Sequence, residues 1–306
     1  MFAAFIDRLA DAVRERGNPL LVGLDPRFDQ LPAPLRALRD QTLETQSHAY
    51  RDFCRGIIDV VAPLVPAVKP QAAFFEALGP PGMAALADVI AHAASKGLLV
   101  ILDGKRNDIG STAEAYAAAY LGRERSAWAA DALTVSPYLG DDSLQPFVEV
   151  ARQHNAGVFV LVKTSNPGGA TFQDLVAAGK PIYRHVAELV EQLAVETIGE
   201  CRYGAVGAVA GATFPEQLAE LREIMPHSWF LVPGFGAQGG KAADVAAAFD
   251  AGGLGAIVNS SRGIIFAHAR DEYQAKYGDS RWQDAVEEAT RDAIAQLRDA
   301  TPAGNL

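Results

Sequence analysis

The chain has 306 residues, 49% of them apolar, enough to bury a full core and close to the roughly 250 residues of one α/β barrel, so residues 1–306 are expected to form a single domain. A formal charge of −10 leaves no broad basic face for counterion release, which argues against binding a long nucleic acid while leaving room for a local basic pocket that takes a small anion. Cys54 and Cys201 have neither metal-ligand spacing nor the density of a disulfide framework, which suits a reducing cytoplasm, and no uncharged apolar run of about 18 residues is present to span a membrane.

At the start of the chain, Phe2, Phe5, Ile6, Leu9 and Val13 recur at helical spacing, while Asp7, Arg8 and Asp11 interrupt the apolar run that a signal peptide needs. An amphipathic helix is expected there. Beyond it, short apolar runs bounded by Gly, Pro or Asp alternate with alanine-rich stretches of helical period, the pattern of repeated βα units. The runs are Leu20–Leu24, Val65–Lys69, Leu98–Asp103, Ala132–Ser136, Gly157–Lys163, Ala205–Val209, Trp229–Pro233 and Ala256–Asn259. Several are apolar on successive residues, as strands covered on both faces must be, and the expected fold is a parallel (β/α)8 barrel, a TIM barrel with extra terminal helices. From Arg27 to about Gln46, Pro32, Pro34 and mixed charge mark an insertion. The charged tail beyond Asp271 reads as helical to about Asp299, with a frayed end at Thr301-Pro302-Ala303-Gly304.

Polar residues gather at the C-terminal ends of these runs, where barrel enzymes carry their chemistry: Asp25, Lys69, Asp103, Lys105, Ser165, Gln238 and Arg262. In Val100-Ile101-Leu102-Asp103-Gly104-Lys105-Arg106-Asn107-Asp108, the two-residue period of an extended chain puts Asp103 and Lys105 on one face. A carboxylate there favours the protonated amine, a proton donor unsuited to forming a Schiff base. Asp108 lies past the strand, where periodicity no longer places it. The alternative is a surface ion pair at a strand end, and Lys69 weighs against it by delivering a second cation to the same rim. Val232-Pro233-Gly234-Phe235-Gly236-Ala237-Gln238-Gly239-Gly240 and Val258-Asn259-Ser260-Ser261-Arg262-Gly263 fall after strands seven and eight, where barrels commonly bind phosphate; alone, such glycines signify turn geometry. His92, His154, His185 and His268 have no partner pattern and read as surface or packing residues; Lys163 stays open between a structural and a functional reading.

Together these stretches resemble orotidine 5′-phosphate decarboxylase, in particular its longer bacterial branch (type 2, with the mycobacterial-type enzymes), from about Leu20 to Phe266. The most specific part is Asp103-Gly104-Lys105-Arg106-Asn107-Asp108-Ile109-Gly110-Ser111-Thr112, which fits the family's Asp-x-Lys-x-x-Asp signature with the Ile and Thr that follow. The resemblance implies conversion of orotidine 5′-monophosphate (OMP) to uridine 5′-monophosphate (UMP) and carbon dioxide with no cofactor and no metal. It implies a charged array of Lys69, Asp103, Lys105 and Asp108, with Asp108 reaching in from the partner subunit of a homodimer, and Lys105 as proton donor. It further implies that Asp25 and Lys69 hold ribose hydroxyls with help from Thr112 across the interface, that Ser165 bonds the pyrimidine, that Pro233 lines the base pocket, and that Gln238 and Arg262 grip phosphate. It assigns no role to Asn166, Asn259 or Ser260.

The sequence also admits two rival readings. Sugar-phosphate decarboxylases and aldol-type synthases of the same barrel superfamily share the Asp-x-Lys-x-x-Asp core but use magnesium, for which Glu76 is the nearby candidate ligand. A noncatalytic nucleotide-phosphate binding protein would keep the pocket without the reaction, and the intact Asp/Lys set argues against it.

Overall fold

The computed structural model describes residues 4–37, 40–121, 126–236 and 240–306. Phe5–Arg16 is the expected amphipathic helix; it buries Phe5, Ile6, Leu9, Ala10 and Val13 and ends at Gly17, whose φ of +63° supplies the left-handed turn that closes a helix at low cost. Asn18 then ties the helix to the first strand, accepting from Leu20 N and donating to Leu64 O.

Eight strands form the barrel: β1 Leu20–Leu24, β2 Ala67–Pro70, β3 Leu99–Arg106, β4 Ala132–Val135, β5 Gly157–Lys163, β6 Gly204–Ala210, β7 Ser228–Val232 and β8 Ala256–Ser260, with a short antiparallel pair, Val176–Ala177 and Lys180–Pro181, outside it. All neighbours pair in parallel and in chain order, and β8 closes on β1, giving the (β/α)8 barrel expected from the pattern. The strands are apolar on successive residues because both faces are covered. Leu20, Val22, Val100, Leu102, Val158, Val160 and Val258 pack outward in the cluster shared with the helices, while Leu21, Ala67, Ile101, Ala132, Phe159, Trp229 and Ile257 pack inward with Phe5, Ile6 and Leu9.

The N-terminal helix therefore plugs the bottom of the barrel. Phe5 meets Phe159 edge-on at 6.1 Å between ring centroids, and Arg8 pairs with Asp131 at 2.7 Å while Asp131 also accepts from Val100 N. Gly157 makes room for the plug, since a Cβ there would lie 2.1 Å from Cδ1 of Phe5, a ring that is itself fully enclosed. Gly157→Ala is expected to destabilise the chain by about 1–3 kcal/mol through overpacking, visible as a lower Tm. An unchanged Tm would show that the plug is loosely held.

Several boundaries differ from the sequence reading for identifiable reasons. The insertion is shorter than expected: Phe28–Gln30 and Ala33–Arg36 are short turns of helix, and the long helix Leu43–Val61 begins inside the predicted insertion, with the side chain of Thr42 accepting from Thr45 N as its cap. The tail is two helices, Asp271–Tyr277 and Trp282–Ala300, broken after Gly278. Its end is not frayed. Thr301 Oγ1 bonds Leu297 O and Ala303 N, Ala303 is fully buried, and Asn305 bonds Ala251 O. Trp282 anchors the last helix against Phe53 of Leu43–Val61, with ring centroids 5.4 Å apart. No helix among the described residues is long and apolar enough to cross a membrane.

Candidate active site

Above the plug, the inward alternation continues and changes character. Two residues beyond Ala67, Ile101, Ala132 and Ile257 stand Lys69, Asp103, Thr134 and Asn259, while β5, β6 and β7 contribute Leu161, Val209 and Leu231. The strand ends enclose a cavity of about 270 Å³ with a polar wall from β8 round to β4 and an apolar wall from β5 to β7. Asp25, Ser165, Pro233 and Arg262 line its upper part, so seven of the residues singled out from sequence converge on one cavity: these four with Lys69, Asp103 and Lys105.

Asp103 is the hub. Its Oδ2 accepts from Lys69 Nζ at 2.8 Å, and its Oδ1 from Lys105 Nζ at 2.5 Å and Thr134 Oγ1 at 3.0 Å. Burial alone would raise the carboxyl's pKa, but the two ammoniums outweigh it and hold Asp103 well below the usual carboxylate range. Burial likewise opposes the charge on Lys69, yet Asp103 and then Asp25 overcome it and raise the ammonium above its ordinary value. Lys69 is 5% exposed and Asp103 7%, so this pair is desolvated and held by its hydrogen bonds, whereas the Lys105 side chain is 48% exposed and reaches the open part of the cavity.

The strand carrying this set is irregular where the chemistry sits. Between Leu102 and Arg106, β3 advances four residues while β4 advances two, from Leu133 to Val135, and within that bulge Lys105 takes a φ of +45°. A non-glycine residue there is strained, and such strain gathers at functional sites. The bulge also explains why β3 runs to Arg106, past the expected end at Asp103: Arg106 O re-enters the ladder by accepting from Ser136 N.

Two buried acceptors face the cavity without a hydrogen-bond partner among the described residues, Oδ1 of Asp25 and Oδ1 of Asn259. Neither oxygen belongs in a dry core, and each suits a ligand that brings N–H or O–H donors. Gly23 makes the space for Asn259 and Ser261, since a Cβ on it would fall 1.9 Å from Ser261 Oγ. Asn166 also lines the cavity, whereas Ser260 faces a separate cleft against the C-terminal helices. Sequence reasoning passed over Thr134, Gln71 and the apolar wall of Leu161, Val209 and Leu231; the lone hydroxyl in Ala132-Leu133-Thr134-Val135 was the available signal for the first.

Asp108 and Thr112 stand apart from the cavity of their own chain. Asp108 accepts from Ile109 N just before the helix Gly110–Tyr120, in which Thr112 is exposed, and Ile109 beside them is 55% exposed. Gln238 lies outside the described residues. Glu76 does not reach the cavity: its carboxylate pairs with Arg106, which also bonds Tyr120. Among the described residues no group of three or more His, Cys, Asp or Glu is placed to hold a metal. Lys163, fully buried at the end of β5, pairs with Asp174 between the rings of Tyr183 and Phe214, a structural setting outside the cavity. His92 bonds Asp59 and His185 bonds Ala177 O, both away from the site.

Comparison with known proteins agrees with this geometry. The orotidine 5′-phosphate decarboxylase of Rhodopirellula baltica is 59% identical over 298 residues, covering 96% of this chain and 99% of that protein. The solved structure of Leishmania donovani OMP decarboxylase shares 35% identity at a TM-score of 0.73, covering 96% of this chain and 98% of that one. Leishmania donovani UMP synthase is longer; it superposes with a TM-score of 0.76 at 36% identity, but this chain spans 57% of it. The family model for orotidine 5′-phosphate decarboxylase / HUMPS proteins matches residues 18–277, and with the barrel and its Asp/Lys array it shows that the chain belongs to the orotidine 5′-phosphate decarboxylase / HUMPS family.

Proposed function

We propose that the chain is a carboxy-lyase that converts OMP to UMP and carbon dioxide, a step of de novo pyrimidine biosynthesis. The observation that carries this reading is the buried carboxylate of Asp103 gripped by Lys69 and Lys105 at the floor of a cavity of about 270 Å³ with Arg262 at its rim. Catalytic work falls to Lys105, Asp103 and Lys69, with Asp108 supplied by a second copy.

The apolar wall takes the pyrimidine ring, with Pro233 beside it and Ser165 bonding its polar edge, so that the substrate carboxylate comes to rest near Asp103. Two like charges about 4 Å apart repel by about 4 kcal/mol at an effective dielectric of about 20, far less than the roughly 20 kcal/mol of the largest enzymatic accelerations. The greater part therefore comes from stabilising the transition state. As the bond to the departing carbon dioxide breaks, its electron pair stays on the ring carbon, and the ammonium of Lys105 gains interaction energy as that negative charge grows. Lys105 then gives this carbon its proton. The charges are in place before the reactant arrives, so the sequence of steps calls for no cofactor.

The rest of the nucleotide finds complementary groups. Asp25 offers its unpartnered oxygen, with Lys69, to the ribose hydroxyls, and Arg262 at the rim carries the positive charge a phosphate needs, a role the family resemblance also gives to Gln238. Asp108 and Thr112 have no function in their own cavity, and with exposed Ile109 they fit a homodimer in which each copy completes the other's site. The family's Asp-x-Lys-x-x-Asp signature also serves magnesium-dependent sugar-phosphate chemistry, but pairing of Glu76 with Arg106 takes the expected metal ligand away from the cavity. We read residues 1–306 as one domain that carries the whole activity, and a cytoplasmic setting accords with the pathway it would serve.

The deciding assay follows ultraviolet absorbance of OMP with the purified chain and an excess of chelator. Steady loss of substrate absorbance, unchanged by the chelator, is expected. Binding of UMP without any turnover would replace the enzyme by a nucleotide-binding protein, and turnover abolished by the chelator would restore the metal-dependent reading.

A further inference from the structure

A hydroxyl one strand away is bonded to both the Lys105 backbone and the Asp103 carboxylate. Thr134 lies on β4, 1% exposed, with its Oγ1 between the two ends of the residue pair that matters most. The backbone N–H of Lys105 donates to it at 2.9 Å, and the hydroxyl donates onward to Asp103 Oδ1 at 3.0 Å. The directions are fixed by chemistry: an amide N–H can only donate and an ionised carboxylate can only accept, so the single hydroxyl proton points at Asp103. Lys105 Nζ closes the circuit on the same Oδ1 at 2.5 Å.

The result is a ring running from the Lys105 amide through Thr134 and Asp103 to the Lys105 ammonium. It spans the bulge of β3, where the ladder to β4 is interrupted and Lys105 sits at a φ of +45°. That conformation needs outside support, and the Thr134 hydroxyl supplies a partner for an amide that the bulge removes from the regular ladder. Lys105 is also long, flexible and half-exposed, so without this tether its ammonium would sample positions away from the reacting carbon.

We infer that Thr134 is a positioning residue for the reaction, holding the Lys105 backbone in its left-handed bulge and the Asp103 carboxylate in register so that the ammonium of Lys105 is aimed at the reacting carbon. The inference rests on the decarboxylase reading for its kinetic consequence and on the hydrogen-bonded ring for its structural one, and the two are tested separately. Valine matches threonine in shape and lacks the hydroxyl; serine keeps it.

In T134V, kcat on OMP should fall about 10- to 100-fold, the scale expected when a catalytic group is misplaced by a fraction of an ångström to an ångström, while the affinity for UMP stays within threefold. T134S should recover most of the lost rate. Amide hydrogen exchange at Lys105 should quicken in T134V and not in T134S. The inference is overturned if T134V keeps kcat within twofold of the unmodified chain, if rate and UMP affinity fall together, or if T134S is as slow as T134V. Failure of T134V to fold would overturn it as well, because the hydroxyl would then serve the barrel and not the lysine. Should the unmodified chain fail to turn over OMP at all, the decarboxylase reading falls, and unchanged exchange at Lys105 in T134V is then the result that removes the ring.

Discussion

Lys105→Ala is expected to lower turnover of OMP by about 10⁴-fold or more while UMP still binds. Two effects are lost together: proton donation to the ring carbon, worth about 10²- to 10⁴-fold, and a preorganised positive charge beside the developing carbanion, worth about 10²- to 10³-fold. Binding survives because UMP has neither the carboxylate nor the carbanion that Lys105 is placed to meet. The fold survives for a reason visible in the site. The Lys105 side chain is 48% exposed, and Asp103 keeps Lys69 at 2.8 Å, so no buried charge is left alone. Turnover by absorbance and UMP affinity by calorimetry check both halves. A rate within tenfold of the unmodified chain would remove Lys105 from the mechanism.

Asp103→Asn is the second large effect, and it reaches stability as well as rate. Lys69 is buried at 5% exposure and its ammonium is held chiefly by Asp103, so neutralising the acid strands a desolvated positive charge with Asp25 as its remaining counter-charge. Breaking a buried pair in this way costs about 3–5 kcal/mol, which for a chain of 306 residues is a Tm lower by roughly 5–8 °C. The pH dependence has a definite sign. Asp103 in the folded chain lies below its ordinary value of 3.8, so its contribution is complete above that value and is lost as pH falls towards the depressed one. Lys69 is raised above its ordinary 10.5, so its contribution is complete below that pH and is lost as pH rises through the higher folded value. The stability gap between the unmodified chain and Asp103→Asn should therefore be level around neutral pH and narrow in acid as Asp103 takes up its proton. It should also narrow in alkali, first because the stranded Lys69 of the variant sheds its proton early, as denaturant titrations across pH would show. A gap that widens in acid would mean that Asp103 is not held ionised by its neighbours.

The parts of the site that were legible in the sequence are those with a periodic context. Lys69 and Asp103 stand out because each ends a run of apolar residues, and a charged side chain at that point in a parallel barrel must either reach solvent or line the mouth. Their common cavity confirms the second outcome. Thr134 and Asn259 gave no comparable signal. Each is a single neutral polar residue in a strand apolar enough to be read as core, and only closure of β8 on β1 and the pairing of β3 with β4 bring them beside Asp25 and Asp103. The β3 bulge was invisible for a related reason. An extended chain already puts Asp103 and Lys105 on one face by period, whereas their actual contact depends on a left-handed Lys105 that receives its support from another strand.

Composition misled at the C-terminus. Thr301-Pro302-Ala303-Gly304 has the look of a loose end, yet a local bond from Thr301 to Leu297 O and a tertiary one from Asn305 to Ala251 O fasten it, and Ala303 is buried; the last two depend on packing that no local composition shows. What the order of residues determined alone is the barrel and its charged rim: alternation and apolar runs are local properties, and they dictate which face of each strand is inward before any strand has met its neighbour. The tertiary structure decided which of those inward groups touch, that Asp103 carries two ammoniums and a hydroxyl at once, and that Asp108 stands apart from the cavity of its own chain. Such contacts depend on distances of a few ångströms between residues that lie on different strands, and no local pattern encodes them.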